Sequence, residues 1–331
     1  KTKKATDTLK RALAIGEKSF GRDHPRIART MYLLGKENIM TNKMADAHAL
    51  LKEALHINIP FLWETLSILP VEEKSVSVNT TGDVIEPFLQ NIAEKLSANG
   101  KKVFDGYNAW INWKGLVTES ERSLAGVCFS PTNNQIISLC AELKAAKNNL
   151  IIFKLSGGGG EDAKKTLESL QKTVNDIETK LGYVSKQYAA DKALINVNVE
   201  EVRRHIPEKT AFIDFAYIEY YDYKNNKPAD AHYLAFVVPG DRTKPISLSD
   251  LGRAEDINKL VSEYSDNLRT NGSNADPEIL NSLGRRLYGK LIQPIEEKLR
   301  GHKCIWISPD NILQFMPFEV LRTSNSRFLI Q

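Results

Sequence analysis

His302 and Cys304, two positions apart in a chain of 331 residues, are the pair whose types match a thiolate nucleophile and its base. On a strand, alternation puts both side chains on one face, about 6–7 Å apart. A working Cys–His pair needs hydrogen-bond reach, about 3 Å. Cys304 also opens the apolar run Ile305-Trp306-Ile307 and therefore reads as a small core residue, while His302, just after Gly301, reads as solvent-facing. His48 and His56 lie eight positions apart on a helix, about 12 Å by rise, too far to share an ion. The remaining histidines, His24, His205 and His232, form no ligand spacing, and neither HExxH nor CxxC occurs. Asp214 and Glu219, five apart on a strand, face opposite sides and make no acid pair. Asp310, in Ser308-Pro309-Asp310-Asn311, reads as a turn brace that accepts backbone N–H groups. Tyr217, Tyr220, Tyr221 and Tyr223 suit strand packing. Gly157–Gly160 has no preceding strand and no Gly-Lys-Ser/Thr ending, so it reads as a flexible loop and not a phosphate cradle. No catalytic, cofactor-binding or metal-ligating residue is assigned, and no cofactor is expected.

The bulk properties narrow the classes further. The net charge of +4 is small for this length, and no long basic stretch marks a nucleic-acid footprint. No run of 18 apolar residues exists to span a membrane. Three cysteines make no disulfide framework, and a reducing cytoplasm is the expected location. The sequons at Asn79 and Asn271 carry little weight without a secretory signal.

The elements that must position these residues change character along the chain. TLKRALAI from Thr8 and LLKEALHI from Leu50 echo one another at an offset of 42 residues. Leu9, Ala12 and Leu13 recur as Leu51, Ala54 and Leu55, the stripe of a helix that buries one face. Ile27–Asn38 and Lys43–His56 are predicted helices, with His24-Pro25 at a helix start and Gly35 facing Ala47 in the seam. Residues 61–125 remain helical in pattern, over Ile85–Leu96 and over Val103–Val117 with Trp110 and Trp113 in the core. Gln135–Leu155 and Asp162–Tyr188 form a helical hairpin about the glycines, its seam running through Leu167, Leu170, Val174, Ile177 and Leu181. Past residue 205 the period changes to two. Ala211–Tyr221 and His232–Val238 are strands, Asp250–Leu268 and Asp276–Leu299 helices, and Cys304–Ser308 a strand. The expected domains are 1–60, 61–205 and 206–331.

Met31, Leu34, Gly35, Ala47, Leu51, Ala54 and Pro60 fall at the spacing of a tetratricopeptide repeat, which the first domain resembles. The 42-residue period and FGRDHP loop are similar to the variant in kinesin light chains, and stacking implies further repeats upstream. ISPDNILQFMPFEVL, Ile307–Leu321, resembles the signature of the CHAT domain, with Asn311 in the left-handed position usually held by Gly. Leu283–Leu299, KTAFIDFAYI and HYLAFVV resemble the elements that precede that signature, and Asn108–Ser120 a helix met between repeats and CHAT domain.

The resemblance implies an α + α/β fold, with tetratricopeptide-like helical hairpins and a long helical linker followed by the first half of a caspase-like three-layer α/β domain. It implies that Cys304–Ser308 is central in a largely parallel sheet completed by a companion chain or C-terminal segment. It also implies a cysteine endopeptidase whose catalytic His and Cys lie beyond Gln331, so that this chain alone is inactive. Its partners are a protein or peptide substrate and, as in some relatives, an RNA-guided effector complex. The alternative is a non-catalytic interaction scaffold with a degenerate caspase-like domain.

Overall fold

The computed structural model describes residues 2–66, 69, 84–116, 133–156, 159–186, 188, 197–271 and 276–322. In chain order these form α1 (Thr2–Phe20), α2 (Pro25–Met40), α3 (Met44–Leu66) and α4 (Ile85–Asn91), which runs into a π turn at Ile92–Leu96. Then come α5 (Gly100–Lys114), α6 (Asn134–Ser156), α7 (Glu161–Val184) and α8 (Val199–His205). The strands are β1 (Thr210–Ile218), β2 (Tyr221–Asp222), β3 (Lys227–Pro228), β4 (His232–Pro239) and β5 (Ser247–Arg253). α9 (Ala254–Asn271), α10 (Pro277–Leu291), a 3₁₀ turn at Gln293–Ile295, α11 (Glu296–Leu299) and β6 (Cys304–Ser308) follow. The sequon at Asn79, the residues after Asn271 in the other, and most of the stretch between α5 and α6 lie outside the described residues, as do Gly157 and Gly158.

Residues 1–88 and 108–198 form one compact unit. The predicted repeat helices are present, and α2 starts where proline costs no backbone bond, with His24 as N-cap and Pro25 in the first turn. A Cβ on Gly35 would meet Leu51 Cγ at 2.8 Å, so only glycine lets α2 and α3 approach this closely. Leu51, Ala54 and Leu55 are fully buried in that seam. Pro60, which marks the end of the repeat pattern, lies inside α3. Proline deletes one helical hydrogen bond, yet Ile57, Ile59, Leu62, Trp63 and Leu66 are all buried around it, and that packing carries the helix through. The hairpin of α6 and α7 closes over Leu143, Leu150, Val174, Ile177 and Leu181. Lys147 and Glu178 pair across it at 3.0 Å with side chains 12% exposed. Cys140 is disulfide-bonded, so the cysteines give no argument for a reducing compartment.

Residues 89–107 and 199–331 form the second unit. Its sheet has the order β5-β4-β1-β6, with β1–β4 and β4–β5 antiparallel and β1–β6 parallel. Helical elements cover both faces. Ala211, Ile213, Phe215, Tyr233, Ala235 and Val237 pack against α9 and α10 through Ile257, Val261, Leu287 and Leu291. On the opposite face Tyr107 stands 5.0 Å from the Phe236 ring. α10 begins as predicted, with Asp276 accepting the Glu278 N–H at 2.8 Å and Pro277 at the first position.

Three expectations are corrected. Asp250–Arg253, read as the start of a helix, belongs to β5, and the helix begins at Ala254. The polar residues that suggested a helix start occupy the outer strand of the sheet, where polar side chains meet water. The helix predicted over Asp276–Leu299 breaks at the 3₁₀ turn containing Pro294. Among the described residues the sheet is mixed and not largely parallel, and β6 is its edge strand, the position expected of it without the strands that would complete the sheet. Cys304 is consequently exposed instead of buried, and Trp306 is 42% exposed.

Candidate functional site

The turn after β6 is built around one carboxylate. Asp310 Oδ2 accepts the Tyr217 N–H at 2.8 Å, so it braces the end of β1 across the sheet and not only its own turn. Asn311 has φ 49°, the left-handed conformation expected for it. The chain then folds back over the α9–α10 face of the sheet. Leu313, Met316 and Leu321 are buried there, and the Phe318 ring stacks on Phe215 at 5.6 Å. Tyr217 meets Tyr233 edge-on at 5.6 Å, and the Tyr233 hydroxyl donates to Asn258 Oδ1 at 2.9 Å. Burial, and then the charge of Asp310, push the Tyr233 hydroxyl above its ordinary range.

The residues weighed for chemistry do not converge. His302, expected in solvent, is half-buried, and its Nδ1 lies 3.1 Å from the Leu299 carbonyl. Its tautomer is thereby tied to the end of α11, while Cys304 is a free thiol on the sheet edge. Asp214 is buried and accepts the Tyr107 hydroxyl at 3.4 Å, whereas Glu219 is exposed, so the two acids do occupy different environments. Desolvation first, and Asp214 second, raise the Tyr107 hydroxyl well above its usual value.

One cluster escaped the sequence. His232 Nδ1 lies 2.8 Å from Asp250 Oδ1, and the Tyr220 hydroxyl donates to Asp250 Oδ2 at 3.0 Å. The Tyr220 ring stacks on the imidazole at 4.3 Å and 13°, and the Gly252 N–H donates to Asp250 Oδ1 at 2.8 Å. Since a carboxylate only accepts, it holds the proton of His232 on Nδ1. Reading Asp250 as helical hid this arrangement, because strand pairing of β4 with β5 is what brings residues 232 and 250 together. Among the described residues no hydroxyl or thiol nucleophile bonds to this imidazole, so the cluster fastens β4, β5 and Tyr220 instead of forming a dyad for attack.

In the first unit a cavity of about 420 Å³ lies between the α1–α2 loop and the tip of the α6–α7 hairpin. Phe20, His24, Phe153, Lys154, Ala163 and Leu167 contribute to its lining. Its walls mix aromatic carbon with both signs of charge, a composition suited to a protein or peptide.

Compared with known families, the chain matches the tetratricopeptide repeat over residues 1–58 and the CHAT domain over residues 281–331. No curated protein and no solved structure matches it. The second match takes in most of α10, β6, the Asp310 turn and the Phe318 segment. Among the described residues no helix is long and apolar enough to cross a membrane, and no cluster of three or more His, Cys, Asp and Glu could hold a metal ion.

Proposed function

We propose, from the premise that a tetratricopeptide repeat region is joined here to a CHAT-domain segment, that the chain is the scaffold and regulatory portion of a caspase-like cysteine endopeptidase. Its repeat region binds the partner or substrate protein. Its sheet holds the strands that carry the catalytic His and Cys, which in this family follow the Pro-Phe-Glu segment in sequence. The observation that supports this best is β6 itself. It lies parallel to β1 at the end of the strand order, is followed by the braced Asp310 turn, and exposes Cys304 and part of the Trp306 ring. An apolar strand in that state is a site for further pairing.

In an active protein of this class the thiolate attacks a peptide carbonyl, and the amine leaves with a proton from the histidine. His302 and Cys304 are given neither role, because one is tied to Leu299 and the other lies bare on the sheet edge. The test is to read the frame past residue 331 for a His-Gly followed by a strand-ending Cys, and to replace that Cys with Ala in the full protein. Cleavage of a co-expressed partner, an RNA-guided effector complex among the candidates, is then expected to vanish. Cleavage that continues unchanged overturns the peptidase reading. Partner binding with no such pair in the frame establishes the alternative, an interaction scaffold without catalysis.

A further inference from the structure

The loop between α1 and α2 is held by contacts that converge on one imidazole. His24 is only 7% exposed, and its Nδ1 accepts the Arg26 N–H at 3.1 Å. A ring nitrogen that accepts carries no proton, so the closed arrangement requires neutral histidine. The ring lies 4.9 Å from that of Phe20, over which the Arg26 guanidinium stands at 5.3 Å. The hairpin tip grips the same loop. His24 hydrogen-bonds the Lys154 backbone, and Arg26 Nη2 donates to the Leu155 carbonyl at 2.6 Å. Gly160 N–H donates to the Ser19 carbonyl at 2.8 Å, and a Cβ on Gly159 would lie 2.6 Å from that oxygen. The glycines expected to form a loose loop thus include two that dock on the end of α1.

We propose that His24 is a proton-operated clasp: neutral, it fastens the α1–α2 loop to the tip of the α6–α7 hairpin, and protonated, it releases them. A proton on Nδ1 would point at the Arg26 N–H and delete the cap of α2. The new charge would also lie buried beside two cations, Arg26 of α2 and Lys154 of α6. Lys154 is itself held by Glu64 of α3 at 2.6 Å, so that carboxylate is already occupied. The other charges around the cavity are Glu17 and Lys18 of α1, Asp23 and the Glu53-paired Arg22 of the loop, and Glu161, Lys164 and Glu168 of α7. Release would uncover the aromatic and aliphatic lining, Phe20, Phe153 and Leu167, to a binding partner.

Burial first, then Arg26 and Lys154, hold His24 below its ordinary 6.5, while the hydrogen bond with the Lys154 backbone acts the other way. In the open loop the exposed ring takes a proton near 6.5, and in the closed loop it does so only at lower pH. The clasp is therefore fully effective above 6.5 and weakens as pH falls through that value. The weakening ends once the closed form also protonates. Within that window protonation raises the opening equilibrium, by at most about tenfold per pH unit for one proton.

Hydrogen–deuterium exchange on the whole chain between pH 8 and 5, corrected for intrinsic rates, tests this. Peptides covering residues 20–30 and 150–168 are expected to lose protection together below pH 6.5, by up to about tenfold per unit. His24→Asn keeps an acceptor for the Arg26 N–H without titrating, and is expected to stay protected across the range. Wild-type protection that stays flat, or an Asn variant with the same acid loss as wild type, overturns the proposal. Should the Asn variant fail to fold, NMR titration of the His24 ring in the wild type decides alone: a midpoint below 6.5 is expected, and one at or above it overturns the clasp.

Discussion

The two outer strands of one four-stranded sheet meet their surroundings in opposite ways. β5 carries Asp250, which binds His232, Tyr220 and the Gly252 N–H, and Ser249, whose hydroxyl bonds Lys298 Nζ. Its ladder with β4 is irregular between His232 and Leu234. Charges and bulges of this kind stop a strand edge from templating another chain. β6 reads Cys-Ile-Trp-Ile-Ser, with no charge, proline or register shift against β1. Among the described residues the same sheet thus fastens one border with polar contacts and ends the other on an apolar strand. The difference supports the proposal that β6 is a border for further strands, because an edge meant to face water permanently would carry the devices found on β5.

The comparison can be broken from beneath or at either border. The largest effect is expected from Phe215→Ala, which empties a fully buried position under β1 and removes the ring on which Phe318 stacks. A loss of about 3–5 kcal/mol in urea unfolding is expected, and a loss under 1 kcal/mol would mean that the Phe318 segment is not seated on the sheet. Next come the carboxylates at the two borders. Asp250→Ala, which severs three partners, is expected to cost about 2 kcal/mol, and Asp310→Ala, which severs the bond to Tyr217, about 1 kcal/mol. The reverse ranking in chemical denaturation would show that β5 is not the more strongly fastened border. The smallest effect on stability is expected from Trp306→Lys, within about 0.5 kcal/mol because the ring is already partly in water. It should nonetheless lower concentration-dependent self-association in sedimentation velocity, and association that is undiminished would show that the β6 border is not sticky.

Much of this architecture was legible residue by residue. The stripe Leu51, Ala54, Leu55 gave a buried helix face, His24-Pro25 and Asp276-Pro277 gave helix starts, and Asn311 gave a left-handed turn. Each of these depends on neighbours within a few positions, so local pattern suffices. Pro60 did not follow its local rule, because buried neighbours on α3 outweigh one lost hydrogen bond. β5 was misread because an edge strand with polar residues resembles a helix start until its partner β4 is known.

The echo between α1 and α3 shows the boundary most plainly. Leu51, Ala54 and Leu55 are sealed in the core, whereas Leu9 and Leu13 are half-buried and Ala12 is exposed, although the two stretches share one pattern. Sequence alone determined that both are amphipathic helices, since periodicity is a property of the chain. Whether such a face is covered, whether β6 lies inside a sheet or on its border, and whether His24 is a surface ring or a buried cap were decided only by tertiary structure. Burial depends on what residues distant in the chain bring alongside, and no spacing within a single element records it.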